Sequence, residues 1–214
     1  MRVVIAGGHG QVALLLERAL AERGDVPVGI VRNPDHVPDV EEAGAEAVVL
    51  DLERTDAGVL AQALDGADAV VFAAGGGPAS GAARKETVDK GAAVLLADAA
   101  EQAGVRRYVM VSAMGTDRAD PDSDDVFDVY LRAKRAADDD LRGRDLEWTI
   151  VRPGRLTDDP GTGRVQVGRL DRGDVTRADV AAVVAEVLHT GSTVGVEFDL
   201  LGGPHAVAAA LADL

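Results

Sequence analysis

The sequence predicts an α/β domain built on a doubly wound, mostly parallel sheet, and three observations lead to that prediction. Short runs rich in β-branched residues alternate along the chain with longer segments rich in Ala and Leu. The short runs are apolar throughout, which is typical of strands that helices cover on both faces. The longer segments provide the crossover helices that parallel strands require.

The elements follow one another in a regular order from the first residues. Apolar residues at helical spacing predict the helices, and Gly24 and Gly104 suit the positions that close them. Strands are predicted at 2–6, 26–31, 46–52, 67–75, 106–115, 147–154, 164–168 and 194–201. Helices are predicted at about 11–24, 37–43, 55–66, 84–104, 126–143 and 176–190, followed by a C-terminal Ala/Leu segment.

Length and composition limit the classes of function. The chain has 214 residues, 47% hydrophobic but only 3% aromatic, so we predict one domain over 1–214 with a core of Ala, Val and Leu. The 37 acidic and 22 basic residues give a formal net charge of −15, and no basic cluster offsets it, which argues against nucleic-acid or membrane partners. The absence of cysteine removes disulfides and thiolate chemistry. Since no secretion signal or long apolar run is seen, a cytoplasmic location is predicted.

A glycine-rich segment, IAGGHGQVA, lies between the first predicted strand and the first predicted helix. Its glycines permit a tight turn and let backbone N–H groups approach a phosphate at the helix N-terminus, where the helix dipole favours negative charge. The strand–turn–helix context predicts the dinucleotide-binding loop of a Rossmann-type domain, and an ordinary βα turn is the alternative. The residues assigned to the cofactor from this loop are Gly7, Gly8, His9, Gly10, Gln11 and Val12.

The ends of the next strands supply further candidate cofactor residues. Arg32 follows the second strand, where a guanidinium can pair with a 2′-phosphate, so NADP(H) is preferred and NAD(H) is the alternative. The nearby Asp35 would oppose a phosphate, and an exposed arginine without a role is the other interpretation. Asp51, after the third strand, can accept from the adenine amino group or act only as a turn residue. The candidates at these strand ends are Arg32, Asp51, Leu52, Ala73, Ala74 and Gly75.

Taken together, these motifs resemble the short-chain dehydrogenase/reductase superfamily. The resemblance is strongest to its atypical, compact branch of NAD(P)H-binding proteins related to the epimerase/dehydratase and NmrA-like groups. It covers almost the whole chain, because GGHGQVA, VRNP, VVLDL, FAAG, YVMVSAMG, YLRAK, TIVRPGRLTDDPGTG and TRADVA occur in the expected order. It implies a Rossmann-type fold, an NAD(P)H cofactor and a catalytic Tyr-x-x-x-Lys pair.

That pair is Tyr130 and Lys134, which lie four residues apart and therefore share one helix face. The resemblance implies that Tyr130 gives a proton to a carbonyl oxygen while the nicotinamide delivers hydride to its carbon. Lys134 would lower the pKa of Tyr130 and hold the nicotinamide ribose. Ser112 would polarise the carbonyl, with Thr116 as its substitute, because Ala113 replaces the second serine of many relatives. A polar helix face without catalytic function is the alternative for the pair.

The C-terminal part is expected to form the substrate side. In relatives, RPGRLTDDPGTG runs beside the nicotinamide, which makes Pro153 and Gly154 candidates for the cofactor wall. Residues from about 155 to 214 are too few for the substrate domain of sugar-nucleotide epimerases, so a small-molecule substrate is predicted. No metal is predicted, because the acidic segment 117–128 lacks the glycine and the glutamate of a calcium loop.

The leading interpretation is an enzyme, an NADP(H)-dependent oxidoreductase that transfers hydride to a small carbonyl or conjugated substrate. One alternative is an NmrA-like sensor of the cofactor that acts through a protein partner. Another is a flavin or tetrapyrrole reductase that transfers hydride without using the Tyr-Lys pair. The fold alone does not choose among these functions, and the sequence leaves the oligomeric state open.

Overall fold

The computed structural model describes residues 1–77, 80–212 and 214. The strands are β1 (Arg2–Ala6), β2 (Val26–Val31), β3 (Glu46–Val49), β4 (Ala69–Phe72), β5 (Arg107–Val111), β6 (Glu147–Pro153), β7 (Arg155–Thr157), β8 (Arg164–Gly168), β9 (Asp174–Thr176), β10 (Val196–Gly202) and β11 (His205–Ala206). The helices are α1 (Gln11–Glu22), α2 (Val37–Glu42), α3 (Ala57–Ala63), α4 (Ala82–Arg84), a π-helix (Lys85–Ala92), α5 (Ala93–Ala103), α6 (Val126–Arg142), α7 (Arg177–His189) and α8 (Val207–Leu211).

Nine of the strands in the described residues form one sheet in the order β11-β8-β10-β6-β5-β4-β1-β2-β3. β1 to β6 and β10 run parallel, whereas β8 is antiparallel to its neighbours β10 and β11. The order reverses between β1 and β4, the position at which doubly wound sheets bind ligands beyond the carboxyl ends of their strands. The predicted fold class is confirmed.

Two apolar layers cover the sheet, one on each face. α1, α7 and α8 pack on one face, with Leu16 and Val184 among their fully buried residues. α3, α5 and α6 pack on the other, where Leu60, Leu96 and Leu141 are buried. Every residue of β4 is buried, as expected for a strand covered from both sides.

The helix predicted at 84–104 is corrected by the structure. The chain forms one turn of α-helix, then eight residues of π-helix, and only then the regular helix α5. Hydrophobic spacing does not distinguish a π-helix from an α-helix over so short a stretch, so the π-helix could not be predicted from the sequence. The π-helix buries Lys85 and Asp89 beside the sheet, and such segments often occur at functional sites.

Smaller differences concern the ends of elements. β3 and β4 end before the predicted boundaries, so Asp51 and Ala73 to Gly75 lie in loops beyond the strands. The short parallel pair of β7 with β9 was not predicted. In the described part of the chain, no helix combines the length and the apolar character needed to cross a membrane.

Candidate functional site

The loop between β1 and α1 forms the centre of the candidate site. Gly7 has a left-handed backbone (φ +86°), and a Cβ there would lie 2.7 Å from the Cα of Ala74, so only glycine fits. The N–H of Gly8 donates to the carbonyl of Ile30 (2.9 Å), and that of Gly10 to Gly7 (2.8 Å). The turn is therefore held by backbone hydrogen bonds to a neighbouring strand and within itself.

The N-terminus of α1 is open to an anion. Gly10 occupies the N-cap position without a side chain to bond the first-turn N–H groups, and no acidic residue lies in that turn. The unpaired N–H groups at a helix start, together with the helix dipole, favour a phosphate. Gln11 is exposed beside this opening, whereas Val12 points into the core. The residues present fit the pyrophosphate of a dinucleotide.

A buried glutamate lies beneath this loop. Glu17 of α1 is 0% exposed, and neither carboxyl oxygen has a hydrogen-bond partner among the described residues. A Cβ on Gly29 would lie 2.5 Å from Glu17 Oε1, which explains the glycine in β2. Burial raises the pKa of Glu17 to about 8, so the carboxyl group is mainly protonated at neutral pH.

Arg32 follows β2 as predicted, but its guanidinium is already paired. Arg32 Nη1 lies 3.1 Å from Glu53 Oε2, which also accepts from Arg84 Nη2 (3.0 Å). The other oxygen of Glu53 accepts from the hydroxyl of Thr87 (2.7 Å). The pKa of Glu53 lies below its usual value, chiefly because of the hydrogen bond from Thr87 and then because of Arg84 and Arg32. Glu53 is therefore an anion that would compete with a bound phosphate for both arginines.

Three further residues predicted to bind the cofactor are His9, Asp51 and Leu52. His9 stacks on His36 with ring centroids 3.6 Å apart, and its Nε2 lies 2.7 Å from Asp39 Oδ2. Asp51 accepts from the N–H of Glu53 (3.0 Å), and Leu52 packs against the core. His9 thus links the glycine loop to the segment that follows β2.

The tip of β4 contacts both the glycine loop and α6. This helix carries Tyr130 and Lys134 and is called the Tyr-Lys helix below. The N–H of Ala73 donates to Ala6 (3.0 Å), and Ala74 lies directly against Gly7. The carbonyls of Ala74 and Val111 lie 3.4 Å and 3.1 Å from Lys134 Nζ. The predicted cofactor loop and the predicted Tyr-Lys pair therefore meet at the carboxyl ends of the strands. Doubly wound sheets bind their ligands in this region, which is called the cleft below.

Lys134 is buried, with 3% of its surface exposed. Its ammonium lies 3.7 Å from Asp89 Oδ1 and 5.1 Å from the centre of the Phe72 ring. Burial lowers the pKa of Lys134, and the negative charges of Asp89 and Asp138 offset part of that effect. Lys134 is thus an ammonium held at the ends of β4 and β5.

Tyr130 lies one turn before Lys134 and is partly exposed. Lys85 Nζ lies 5.2 Å from the centre of its ring and donates to the carbonyl of Gly77 (2.7 Å). Burial raises the pKa of Tyr130 above its usual value, and Asp89 and Asp138 raise it further. These effects shift the pKa of Tyr130 in the direction opposite to the one that the Tyr-Lys prediction implies.

Ser112 follows β5 and is 5% exposed. Its hydroxyl donates to Asp138 Oδ2 (2.9 Å), and Arg152 Nε lies 3.6 Å from the same oxygen. Burial raises the pKa of Asp138 to about 6, while the bond from Ser112 and the charge of Arg152 oppose the rise. Thr116, the predicted substitute, is 3% exposed, and its hydroxyl has no partner within the described residues.

The segment after β6 borders the other side of the strand ends. The carbonyl of Pro153 accepts from Met114 (2.9 Å), and a Cβ on Gly154 would lie 2.4 Å from the carbonyl oxygen of Gly173. Gly154 is therefore required for packing against the chain that leads into β9. A cavity of about 270 Å³ lies nearby, with Met114, Arg152 and Phe198 in its lining.

Several residues of the site were not found by sequence reasoning. Three of them, Glu17, Asp89 and Asp138, are carboxylic acids on otherwise apolar helix faces, and all three are 0% exposed. That placement was a usable signal, because an ionisable residue on an apolar face must be paired or neutral. In residues 1–77, 80–212 and 214, no three His, Asp or Glu side chains are grouped so that they could hold a metal ion.

One protein family and three known proteins match this chain. The model of a family described as NAD(P)H-binding matches residues 7–191. A Bacillus subtilis protein called the uncharacterized sugar epimerase YhfK is 35% identical over 216 residues, covering 100% of both chains. A solved Bacillus halodurans structure, provisionally named an NAD-dependent epimerase/dehydratase, is 38% identical with a TM-score of 0.93 and full coverage of both chains. The oxidoreductase ylbE of Lactococcus lactis is 28% identical, with a TM-score of 0.89 over 100% of this chain and 96% of its own.

Proposed function

Since the chain belongs to the NAD(P)H-binding family within the short-chain dehydrogenase/reductase superfamily, we propose that it is an NADP(H)-dependent reductase of a small carbonyl or conjugated substrate. The observation that carries the proposal is the chain of contacts between the glycine loop and Lys134. Gly7 lies against Ala74, and the carbonyl of Ala74 lies 3.4 Å from Lys134 Nζ. When bound, the nicotinamide supplies the hydride.

The glycine loop and the strand ends hold the cofactor in this proposal. The open N-terminus of α1 binds the pyrophosphate, and Asp51 accepts from the adenine amino group. Arg32 pairs with the 2′-phosphate after exchanging Glu53 for it, which gives a preference for NADP(H) over NAD(H). The residues Ala73, Ala74, Gly75, Pro153 and Gly154 border the nicotinamide half.

Tyr130 gives the proton in this proposal. A phenol with a raised pKa stays protonated at neutral pH, and it can still protonate an alkoxide, which is a far stronger base than a phenolate. Lys134 holds the ribose and fixes the tip of β4 instead of ionising the phenol. Ser112 polarises the carbonyl only if its hydroxyl turns from Asp138 towards the substrate, and Thr116 is the alternative donor.

The substrate is small in this proposal, because residues 155–214 mostly complete the sheet and pack on it. The cavity of about 270 Å³ beside Met114 lies just below the range of about 300–1,000 Å³ that is typical of small-molecule sites, which favours a small substrate. Its lining includes Arg118, Arg152, Glu197 and Asp199. These polar walls favour a substrate with hydrogen-bonding groups.

The test is the substitution Tyr130→Phe, which keeps the ring but removes the transferable proton. We expect kcat on a panel of carbonyl compounds to fall by about 10²–10⁴-fold while NADPH affinity is kept. Tyr108→Phe is the matched control, since it removes the other tyrosine hydroxyl, which is buried against the carbonyl of Ala93. Turnover unchanged in Tyr130→Phe would contradict the role of the phenol.

The alternatives give different results in the same assay. A cofactor sensor binds NADPH but turns over nothing on the panel. A flavin or tetrapyrrole reductase consumes NADPH with those acceptors and tolerates Tyr130→Phe. An epimerase, the activity named for two of the relatives, interconverts its substrate without net consumption of cofactor.

A further inference from the structure

Asp89 is a fully buried charged group that packs beside the Tyr-Lys helix. It lies in the π-helix, is 0% exposed, and places Oδ1 3.7 Å from Lys134 Nζ. Two buried opposite charges stabilise one another only when they are close, and removing one leaves the other uncompensated. Asp89 is therefore the direct counter-ion of Lys134.

The same carboxylate also contacts the loop that follows β4. Its Oδ2 accepts from the N–H of Gly76 (3.1 Å), and a Cβ on Gly75 would lie 3.1 Å from Oδ1. The carbonyl of Ala74, one residue earlier, faces Lys134 Nζ at 3.4 Å. One carboxylate thus joins the ammonium to the tip of β4, where the nicotinamide half of the cleft lies.

The other charged groups around Lys134 do not replace Asp89. Asp138 on the same helix is bonded to Ser112 at 2.9 Å and lies 3.6 Å from Arg152. Lys85, also from the π-helix, carries a like charge and donates to Gly77. Tyr130 is an uncharged phenol at neutral pH. The remaining contacts, the carbonyls of β5 and the β4 tip and the Phe72 ring, carry no formal charge.

We infer that Asp89 is a positioning residue of the reductase: it keeps Lys134 charged and directed at the cleft, and so sets the alkaline limit of cofactor binding and activity. The inference rests on the proposed function for its link to catalysis. Lys134 binds the ribose as an ammonium, and binding is lost as the pH rises through its pKa. Burial lowers that pKa and Asp89 raises it, so loss of Asp89 moves the limit to lower pH.

The first experiment measures the pair without any substrate. Thermal unfolding is followed for wild type, Asp89→Asn, Lys134→Met and the double variant. Each single variant leaves one buried charge unpaired, so we expect Tm to fall by about 5–15 °C. The double variant removes both charges and is expected to lie closer to the wild type than either single variant. Additive losses would overturn the inference.

The second experiment measures the consequence for the cofactor. Calorimetric titration with NADPH between pH 6 and 10 is expected to show the alkaline loss of affinity shifted down by about one pH unit or more in Asp89→Asn. The pH profile of kcat/KM shifts in the same direction. Glu86→Gln is the matched control, because it removes an exposed carboxylate of the same π-helix whose ion-pair partner among the described residues is the surface residue Lys90.

The outcomes separate the inference from the proposed function. The inference would be overturned if a folded Asp89→Asn protein lost NADPH affinity at the same alkaline pH as the wild type, or if Glu86→Gln shifted that pH equally. In either case, NADPH-dependent turnover by the wild type would still uphold the proposed function. A wild type that binds no NADPH would overturn the proposed function, whatever the thermal cycle shows. Non-additive Tm losses in the three variants, together with loss of NADPH affinity at lower pH in Asp89→Asn, support the inference.

Discussion

The two ends of the cleft each lie over a fully buried carboxylic acid, and the two acids differ in their partners. Glu17, beneath the glycine loop, has no hydrogen-bond partner among the described residues, and its pKa rises to about 8. Asp89, beneath the Tyr-Lys end, lies 3.7 Å from the buried ammonium of Lys134. The first acid carries a proton at neutral pH, and the second belongs to an ion pair.

This difference shows how the protein divides its charges between the two ends. At the glycine-loop end, the groups open to a ligand are backbone N–H groups, and the charged side chains Arg32 and Glu53 lie near the surface. At the Tyr-Lys end, Lys134 and Asp89 are buried together. Removing one partner of a buried ion pair lowers the free energy of unfolding strongly, whereas removing one partner of a surface ion pair changes it little.

The largest effect is expected at Gly10, the N-cap of α1, where backbone N–H groups are the groups available to bind a phosphate. Gly10→Val places a branched side chain at the open helix start, so we expect the affinity for NADPH and NADH to fall by at least about 1,000-fold. Calorimetry measures the loss, and circular dichroism checks the fold. Gly191→Val is the control, because a Cβ there meets open space. Unchanged affinity in Gly10→Val would remove the loop from the cofactor site.

The next effect concerns Glu17 and its missing partner. Because the pKa is raised from 4.5 to about 8 in the folded state, the folded protein keeps a proton that the unfolded chain releases. The free energy of unfolding therefore decreases from about pH 4.5 to about pH 8 and levels off above it. Glu17→Gln cannot ionise, so its stability relative to the wild type should rise by about 2–4 kcal/mol across that range.

Chemical denaturation at several pH values measures this change. Glu22→Gln on the same helix is the control, because Glu22 is exposed and its substitution should leave the pH dependence in place. If the unfolding free energy of Glu17→Gln follows that of the wild type at every pH, Glu17 is not a buried, protonated carboxyl group. The proposed difference between Glu17 and Asp89 would then be wrong.

A smaller effect is expected at Arg32. Arg32→Ala should weaken NADPH binding by about 1.5–3 kcal/mol, the range for hydrogen bonds to charged groups, and leave NADH nearly unchanged. Arg54→Ala is the matched control, since its side chain is 85% exposed and lies 3.8 Å from Asp51. Equal losses for both cofactors would show that Arg32 does not contact the 2′-phosphate.

The smallest effect is expected at Glu53, which forms an ion pair with the guanidinium of Arg32. Glu53→Gln removes the competing charge, and we expect NADPH to bind more tightly by about 0.2–1 kcal/mol, as for an exposed ion pair. The comparison of NADPH with NADH in the same variant isolates the phosphate. Weaker NADPH binding in Glu53→Gln would mean that Glu53 supports the site instead of competing for it.

Most of the fold and the tight glycine turn between β1 and α1 could be predicted from the sequence, because both depend on local patterns. Apolar strand runs, helical spacing and the glycines between residues 7 and 10 each have one dominant structural meaning. The spacing of Tyr130 and Lys134 likewise placed both on one helix face. Their ionisation could not be predicted, since it depends on burial and on Asp89 and Asp138, which reach them from a π-helix and from the next turn of α6.

The helix patterns still contained part of this information. Asp89 precedes Ala92, Ala93 and Leu96 on the inner face, as Asp138 accompanies Lys134 and Leu141. An ionisable residue at such a position predicts a buried charge, but which partner it meets depends on contacts between elements. For the same reason the sequence did not show that Ser112 is bonded to Asp138.

The most direct test of the central claim follows the hydride itself. Wild-type protein is incubated with NADPH that carries deuterium at both C4 positions of the nicotinamide, together with the carbonyl panel. The products are analysed by mass spectrometry and NMR. The account predicts one deuterium on the former carbonyl or conjugated carbon, formed at a rate that falls by about 10²–10⁴-fold in Tyr130→Phe. Cofactor binding without deuterium transfer to any compound in the panel would contradict it.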